Sequence, residues 1–309
     1  MTTDNTGQWW DRNRSWNVVR GCSPVGEGCT NCWAARMATR FSTISDARYE
    51  EYEIPGPFAG FAEKGKWTGR VELVESMLEA PLHWRKPQVI AVSLMGDWCH
   101  ENLSDEARDR IFAVIARCPQ HTFVLLTKRW KGMRHWFQKQ AEINLGGLAR
   151  TLGFHHWPLP NVILGASAWD QPSADEACKW LLQTPAAGRL LCLEPLLGPV
   201  DLRPHLGGPD EDGRCLRCGL EWSDERERLE PHECPPGFGP RPSWVIAGGE
   251  TGPGARNCEW PWVRGIVSQC RDAGVPVWVK ALMGSKGRRV PFEQWPEDLR
   301  VRQRPEVAQ

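Results

Sequence analysis

The sequence predicts an α/β protein: a parallel (β/α)8 barrel of the TIM type, closed or open, with a small Cys/His insert before the seventh strand. Three observations predict it. Apolar runs of strand length alternate with helical patterns from one end to the other. Most of these runs end on a polar or reactive residue. One stretch, 206–242, breaks the alternation and holds almost no core-forming residues.

In order, 16–20 reads as a short strand feeding a cysteine-bearing loop, 21–33, and 32–41 follows as a helix. Residues 42–66 are rich in Gly, Pro and aromatics without a period, which predicts a long irregular excursion of the lid type. A second strand is expected over 70–74, then a short helix over 75–82. The third, 88–95 (Gln-Val-Ile-Ala-Val-Ser-Leu-Met), is almost continuously apolar, as a strand buried on both faces should be. It delivers Asp97, His100 and Glu101. The next helix opens with Ser104 as N-cap and acids in its first turn, and it ends before Pro119.

The fourth strand, 121–126, presents Thr127, Lys128 and Arg129, and a helix with Met133, Trp136 and Phe137 on one side follows. The fifth, 161–166, ends near Ser167 and precedes a helix over 173–183. The sixth, 189–193, presents Glu194 and Pro195. The seventh, 244–247, runs into Gly248, Gly249 and Glu250. A helix over 260–273 leads to the eighth, 275–279, which ends at Lys280. The domain plan is therefore barrel over 1–205, insert over 206–242, barrel again over 243–290, and a polar tail over 291–309 strapped down by Phe292 and Trp295.

In a barrel, residues just past each strand converge on the C-terminal mouth, where such folds keep their active sites. Cys22, Asp97, Lys128, Ser167, Glu194, Glu250 and Lys280 all occupy that position. Asp97, Lys128, Glu194 and Lys280 are the candidate catalytic groups. The two lysines suit a carboxylate or phosphate, and pairing with the acids is the alternative role.

Cys22, Cys29 and Cys32 lie on one Gly- and Pro-containing loop. Three thiolates are one short of a closed tetrahedral zinc site, so a zinc reading needs a fourth ligand from elsewhere. They also suit a cubane iron–sulfur cluster with one iron left open. Three unrelated loop cysteines are the plain alternative. In the insert, Cys215 and Cys218, then His232 and Cys234, supply the four ligands of tetrahedral zinc. A segment so poor in apolar residues needs such a staple or stays loose. Cys118, Cys178, Cys192 and Cys270 read as small buried hydrophobes.

Lys+Arg and Asp+Glu both number 38 in 309 residues. A zero formal charge argues against a protein that binds nucleic acid by charge alone. No stretch approaches the ~20 apolar residues of a membrane span, and 1–8 hold no apolar run. A cytoplasmic protein without membrane association is expected, and twelve cysteines there point to metal or redox use.

The cysteine loop between a strand and a helix resembles that of radical S-adenosylmethionine enzymes, although CxxxxxxCxxC departs from their usual CxxxCxxC. The chain is similar to the phage-associated three-Cys-motif family, whose members are expected to be radical-SAM-like. The likeness runs through Trp16-Asn17, Cys29 to Ala34, Trp67 to Arg70, His83 to Pro87, Asp97 with His100-Glu101, Leu126 to Arg129, Glu194 to Pro199 and Gly248 to Arg256. It implies a [4Fe–4S] cluster on Cys22, Cys29 and Cys32, S-adenosylmethionine on the open iron, and an electron donor as partner. Gly248-Gly249-Glu250 reads like the GGE element that holds the methionyl amino group in those enzymes, where it follows the second strand rather than the seventh. A tight turn is its other reading. Trp33 suits an adenine cover or a rim contact.

Three function classes follow: a radical-SAM-like enzyme acting on an unidentified substrate, with nucleic acid or nucleotide one class; an accessory protein that binds nucleic acid or a protein partner; and a zinc-dependent barrel hydrolase.

Overall fold

The computed structural model describes residues 9, 14–45, 53–144, 158–207, 212, 214, 215, 240–284 and 288–305. Its main sheet has seven strands: β1 (Ser15–Trp16), β2 (Val89–Val92), β3 (Thr122–Thr127), β4 (Val162–Ala168), β5 (Gly188–Leu193), β6 (Trp244–Gly248) and β7 (Val277–Ala281). They stand in chain order across the sheet, each beside the next. The β1–β2, β2–β3, β5–β6 and β6–β7 pairs are parallel. An order without reversal belongs to the barrel type of α/β winding and not to the doubly wound type, which reverses at a switch point. An eighth strand in this sheet is absent among the described residues.

The expected second strand is the one that differs. Glu72–Leu73 pairs antiparallel with Val19–Arg20 in a separate two-stranded sheet, with Val19 opposite Leu73 and Arg20 opposite Glu72. The expected first strand is accordingly split, with Ser15–Trp16 in the main sheet and Val19–Arg20 in the small one. The excursion after the first helix is partly ordered into two antiparallel pairs, Thr43–Ser45 with Glu53–Pro55 and Ala62–Glu63 with Lys66–Trp67.

The chain divides into two compact units, Trp10–Ile163 with Ala308–Gln309, and Met1–Trp9 with Leu164–Val307. In the first, α1 (Trp33–Arg40) turns Ala34, Ala35 and Ala38 inward. Helix α2 (Asp105–Ala116) starts where the sequence says it should: Ala107 N–H donates to Ser104 Oγ at 3.1 Å. Helix α3 (Trp130–Asn144) buries Met133, Trp136 and Phe137. Trp136 and Phe137 meet Phe112 of α2 at 4.6 and 5.6 Å between ring centres, and Trp98 completes the cluster. Such offset and edge contacts add to what burial alone contributes.

In the second unit, α4 (Gln171–Leu182) begins two residues before the sequence suggests. Asp170 is its N-cap, exchanging hydrogen bonds with Ser173 in a capping box. Helix α5 (Trp260–Asp272) buries Val263, Ile266, Val267 and Cys270, one stripe at i, i+3, i+4 and i+7. In the tail Trp295 is buried and Phe292 lies against it at 5.0 Å. It then runs beside β7: Val279 N–H donates to Val301 O, and Gln303 N–H to Val277 O, both at 2.9 Å. Among the described residues no helix is long and apolar enough to cross a membrane.

Candidate functional site

In the first unit the site is assembled by a close approach of two turns. Gly21 N–H donates to Met95 O at 3.1 Å, and Asp97 N–H to Gly21 O at 3.3 Å. Gly21 has φ 89, and a Cβ there would lie 1.9 Å from Arg70 O, so only glycine lets the chain through. This brings the cysteine loop against the turn that follows β2.

Asp97 is buried and its carboxylate is fully engaged. Oδ1 accepts from Cys99 N–H at 2.9 Å and from the Thr127 hydroxyl at 2.8 Å, and Oδ2 accepts from Arg129 Nη1 at 3.1 Å. Arg129 reaches further. Its Nη2 donates to Ser23 O (3.0 Å) and Ser23 Oγ (2.7 Å), Nη1 to Cys22 Sγ (3.5 Å), and Nε to Glu101 (2.7 Å). Burial works against the guanidinium charge, but Asp97 and Glu101 outweigh it and hold its pKa above the ordinary value. Arg129 is the cation paired with Asp97 here. Lys128 is half-buried beside it.

The sequence did carry a signal for this. Arg129 N–H donates to Thr127 Oγ1 at 2.9 Å, a Thr-based turn that swings the residue two positions past the strand back toward Asp97.

His100 is buried and its ring Nε2 lies 2.8 Å from Ser23 Oγ. Nδ1 accepts from Asn102 N–H at 3.0 Å, so the neutral ring carries its proton on Nε2 and donates it to Ser23. Burial, helped by Arg129, holds the His100 pKa below its ordinary value. The pair is thus a tether for the loop: a histidine that donates to a serine is not its general base.

Of the described cysteines only Cys22, Cys29 and Cys32 reach solvent; Cys99, Cys118, Cys178, Cys192, Cys215, Cys258 and Cys270 are buried. Cys29 closes a 3-10 turn, Glu27–Cys29, and Cys32 is the N-cap of α1. Cys22 turns its thiol to Ser23 O at 3.4 Å. Burial, with Asp97 nearby, pushes that thiol up to about 12, so ligation has to displace a proton. Among the described residues no three His, Cys, Asp or Glu side chains stand ready around one metal position. The donor set nevertheless fits a thiolate-bound centre: three accessible sulfurs on one loop, a helix N-terminus at one, and a guanidinium at another. Trp33, directly after Cys32, is 42% exposed.

The second unit holds Ser167, Glu194, Gly248, Gly249, Glu250 and Lys280. Lys280 Nζ lies 2.7 Å from both oxygens of Glu194. Glu194 follows β5, Lys280 is on β7, and Gly248 of β6 lies between these strands. A Cβ on Gly248 would come within 3.2 Å of Ala281 N and 3.3 Å of Lys280 Cβ, so the absent side chain lets β6 lie close to β7 here. Gly249 packs on Met283 and Cys258. Glu250 is buried and taken up inside its own turn: Oε2 accepts from Arg256 N–H (2.9 Å) and Nε (3.0 Å), and Oε1 from Nη2 (2.8 Å). Sequence reasoning passed over Arg256 as that partner. Ser167 is buried within β4. Of the four expected insert ligands Cys215 is described and buried, whereas Cys218, His232 and Cys234 lie outside the described residues.

Fold and site together define an α/β protein with a parallel sheet and a solvent-reaching three-cysteine loop locked to an Asp–Arg pair. The chain belongs to DUF5131, a family of proteins of unknown function, whose model matches residues 5–294. No curated protein and no solved structure matches it.

Proposed function

We propose that the protein is an iron–sulfur enzyme of the radical S-adenosylmethionine type, working in the cytoplasm on a substrate of the nucleic-acid or nucleotide class, with an external electron donor as partner. In this reading the sheet is an incomplete form of the eight-stranded barrel, and the likeness to the phage-associated three-Cys-motif family is genuine kinship. The single observation that carries it is the contrast among cysteines: three on one loop reach solvent and the other described ones are buried.

Cys22, Cys29 and Cys32 would hold the cluster, which when bound supplies the electron that cleaves S-adenosylmethionine reductively. Arg129 and His100 fix the backbone and hydroxyl of Ser23, and so the position of Cys22. Arg129 also places positive charge against the Cys22 sulfur, which favours an anionic ligand set. The Glu194–Lys280 pair is half-buried, so either partner can be drawn to a charged substrate group at modest desolvation.

Protein purified without oxygen should be brown, with sulfur-to-iron charge-transfer absorption, and carry iron and sulfide. Cys29→Ala should lose both, while Cys118→Ala, a change at a buried cysteine, should keep them. Colourless wild type holding zinc on the loop would overturn the proposal in favour of a zinc-dependent hydrolase.

A further inference from the structure

We propose that the outward face of α1, together with the tip of the Ala62–Glu63/Lys66–Trp67 hairpin, binds single-stranded nucleic acid beside the cysteine loop; the choice of substrate class rests on the function proposed above.

Val25, Trp33 and Phe41 are the exposed large hydrophobic residues among those described, at 42%, 42% and 45%. All three belong to the cysteine loop or to α1 and its C-cap. Helix α1 has no apolar need for them outside, because its packing face is already made by Ala34 and Ala38 against Ala62 and Met95. The same outward side carries cations. Arg40 is exposed and Arg36 half-buried on the helix, and Lys64 and Lys66 are exposed on the hairpin. Glu63 on the hairpin and Glu27 on the cysteine loop are the exposed acids of these segments.

Helix and hairpin form one surface. Gly65 N–H donates to Thr39 Oγ1 at 3.0 Å, and a Cβ on Gly65 would lie 3.2 Å from Arg36 Cγ. The tip itself shows a residue placed against its preference. Lys64 has φ 49 and Gly65 φ 77, so the hairpin has both central residues left-handed. Asn, Asp or Gly is what such a turn favours at the first of these positions. A lysine there is costly for the backbone, and what it adds is a charge at the tip, beside Arg36.

Rings interleaved with cations are the chemistry of single-strand binding: unpaired bases stack on the aromatic faces while Arg and Lys follow the phosphates. Paired bases keep their faces to themselves, so a duplex would lose the stacking half of this surface. A lipid surface fits less well. An interfacial helix presents a wide apolar face, and α1 turns its alanines inward, leaving Trp33 and Phe41 separated by Arg36 and Arg40. With Lys+Arg and Asp+Glu equal over the chain, attraction should be local and strongly salt-dependent.

The test is fluorescence anisotropy of a short labelled oligothymidylate titrated with the full chain at several salt concentrations. Trp33→Ala should weaken binding about 5- to 100-fold, the range for one base–aromatic stack. Arg40→Ala with Lys64→Asn, the latter suited to a left-handed turn, should lower the slope of log K against log salt by about 1.4, roughly 0.7 per lost phosphate contact. Lys179→Ala on α4 should change nothing. Wild type that fails to bind at low salt, variants that bind equally, or co-sedimentation with phosphatidylserine vesicles in place of oligonucleotide binding would each overturn the proposal. Iron content is read separately: an iron-free chain that binds the oligonucleotide counts against the enzyme alone, and an iron-loaded chain that does not counts against this surface alone.

Discussion

Arg129 shows how much one side chain can settle. Both it and Asp97 are nearly buried, at 8% side-chain exposure each, so neither charge is easily hydrated if the other is removed. Removing one partner of a buried pair costs about 3–5 kcal/mol, because the remaining charge is stranded. Arg129→Gln should therefore lower unfolding stability in urea by that order, with Asp97→Asn in the same chain recovering part of the loss. A loss below about 1 kcal/mol would mean that the pair is hydrated as surface pairs are. The residue types at this site were readable from the sequence, but their partners were not. Asp97 was readable as a reactive acid, yet its oxygens serve Cys99, Thr127 and Arg129. Glu250 was readable as a carboxylate on a glycine turn, yet Arg256, six residues on, takes it up. Reactivity depends on what a group has left to bond, and that is decided by tertiary neighbours.

At the scale of elements, strands were legible wherever both faces are buried, because nothing but an apolar run can fill them. β4 and β6 are buried along their whole length. The failure was Glu72–Leu73, a two-residue pairing whose partner Val19–Arg20 no pattern identifies. The tail's role was legible only in part. Phe292 and Trp295 announced a strap, but nothing announced that 301–303 would pair with the outer edge of β7. An open parallel edge invites pairing with other chains, and this segment covers it. It also receives the Trp244 indole N–H on Gln303 O at 2.9 Å and stacks the Arg302 guanidinium 4.1 Å over Phe292. Truncation after Arg300 removes all of these at once and leaves a buried indole donor unpaired. The shortened chain should melt several degrees lower, each 1 kcal/mol lost being worth about 2–4 °C in a chain of this size, and should self-associate on size exclusion. Unchanged melting and elution would reduce the tail to an ornament.

At the scale of the whole molecule, the sequence reading sets a sheet-forming chain apart from the stretch 206–242, whose composition is too poor in apolar residues for folding by burial to be expected. The matching family model extends from 5 to 294 and so runs through 206–242. Cys215, the one expected insert ligand among the described residues, lies buried at 1% exposure. If Cys215, Cys218, His232 and Cys234 hold one zinc, binding and local folding are the same event there, while the sheet rests on apolar contacts elsewhere. Cys218→Ser should then reduce zinc by about one ion per chain in elemental analysis. Any iron held by Cys22, Cys29 and Cys32 should be untouched. Limited proteolysis should cut the variant within 206–242 and leave both flanking fragments associated, with the thermal transition of the sheet preserved. Loss of that transition together with the zinc would show that the insert is a part of the core, and the division of the chain at 206 and 242 would have to be abandoned.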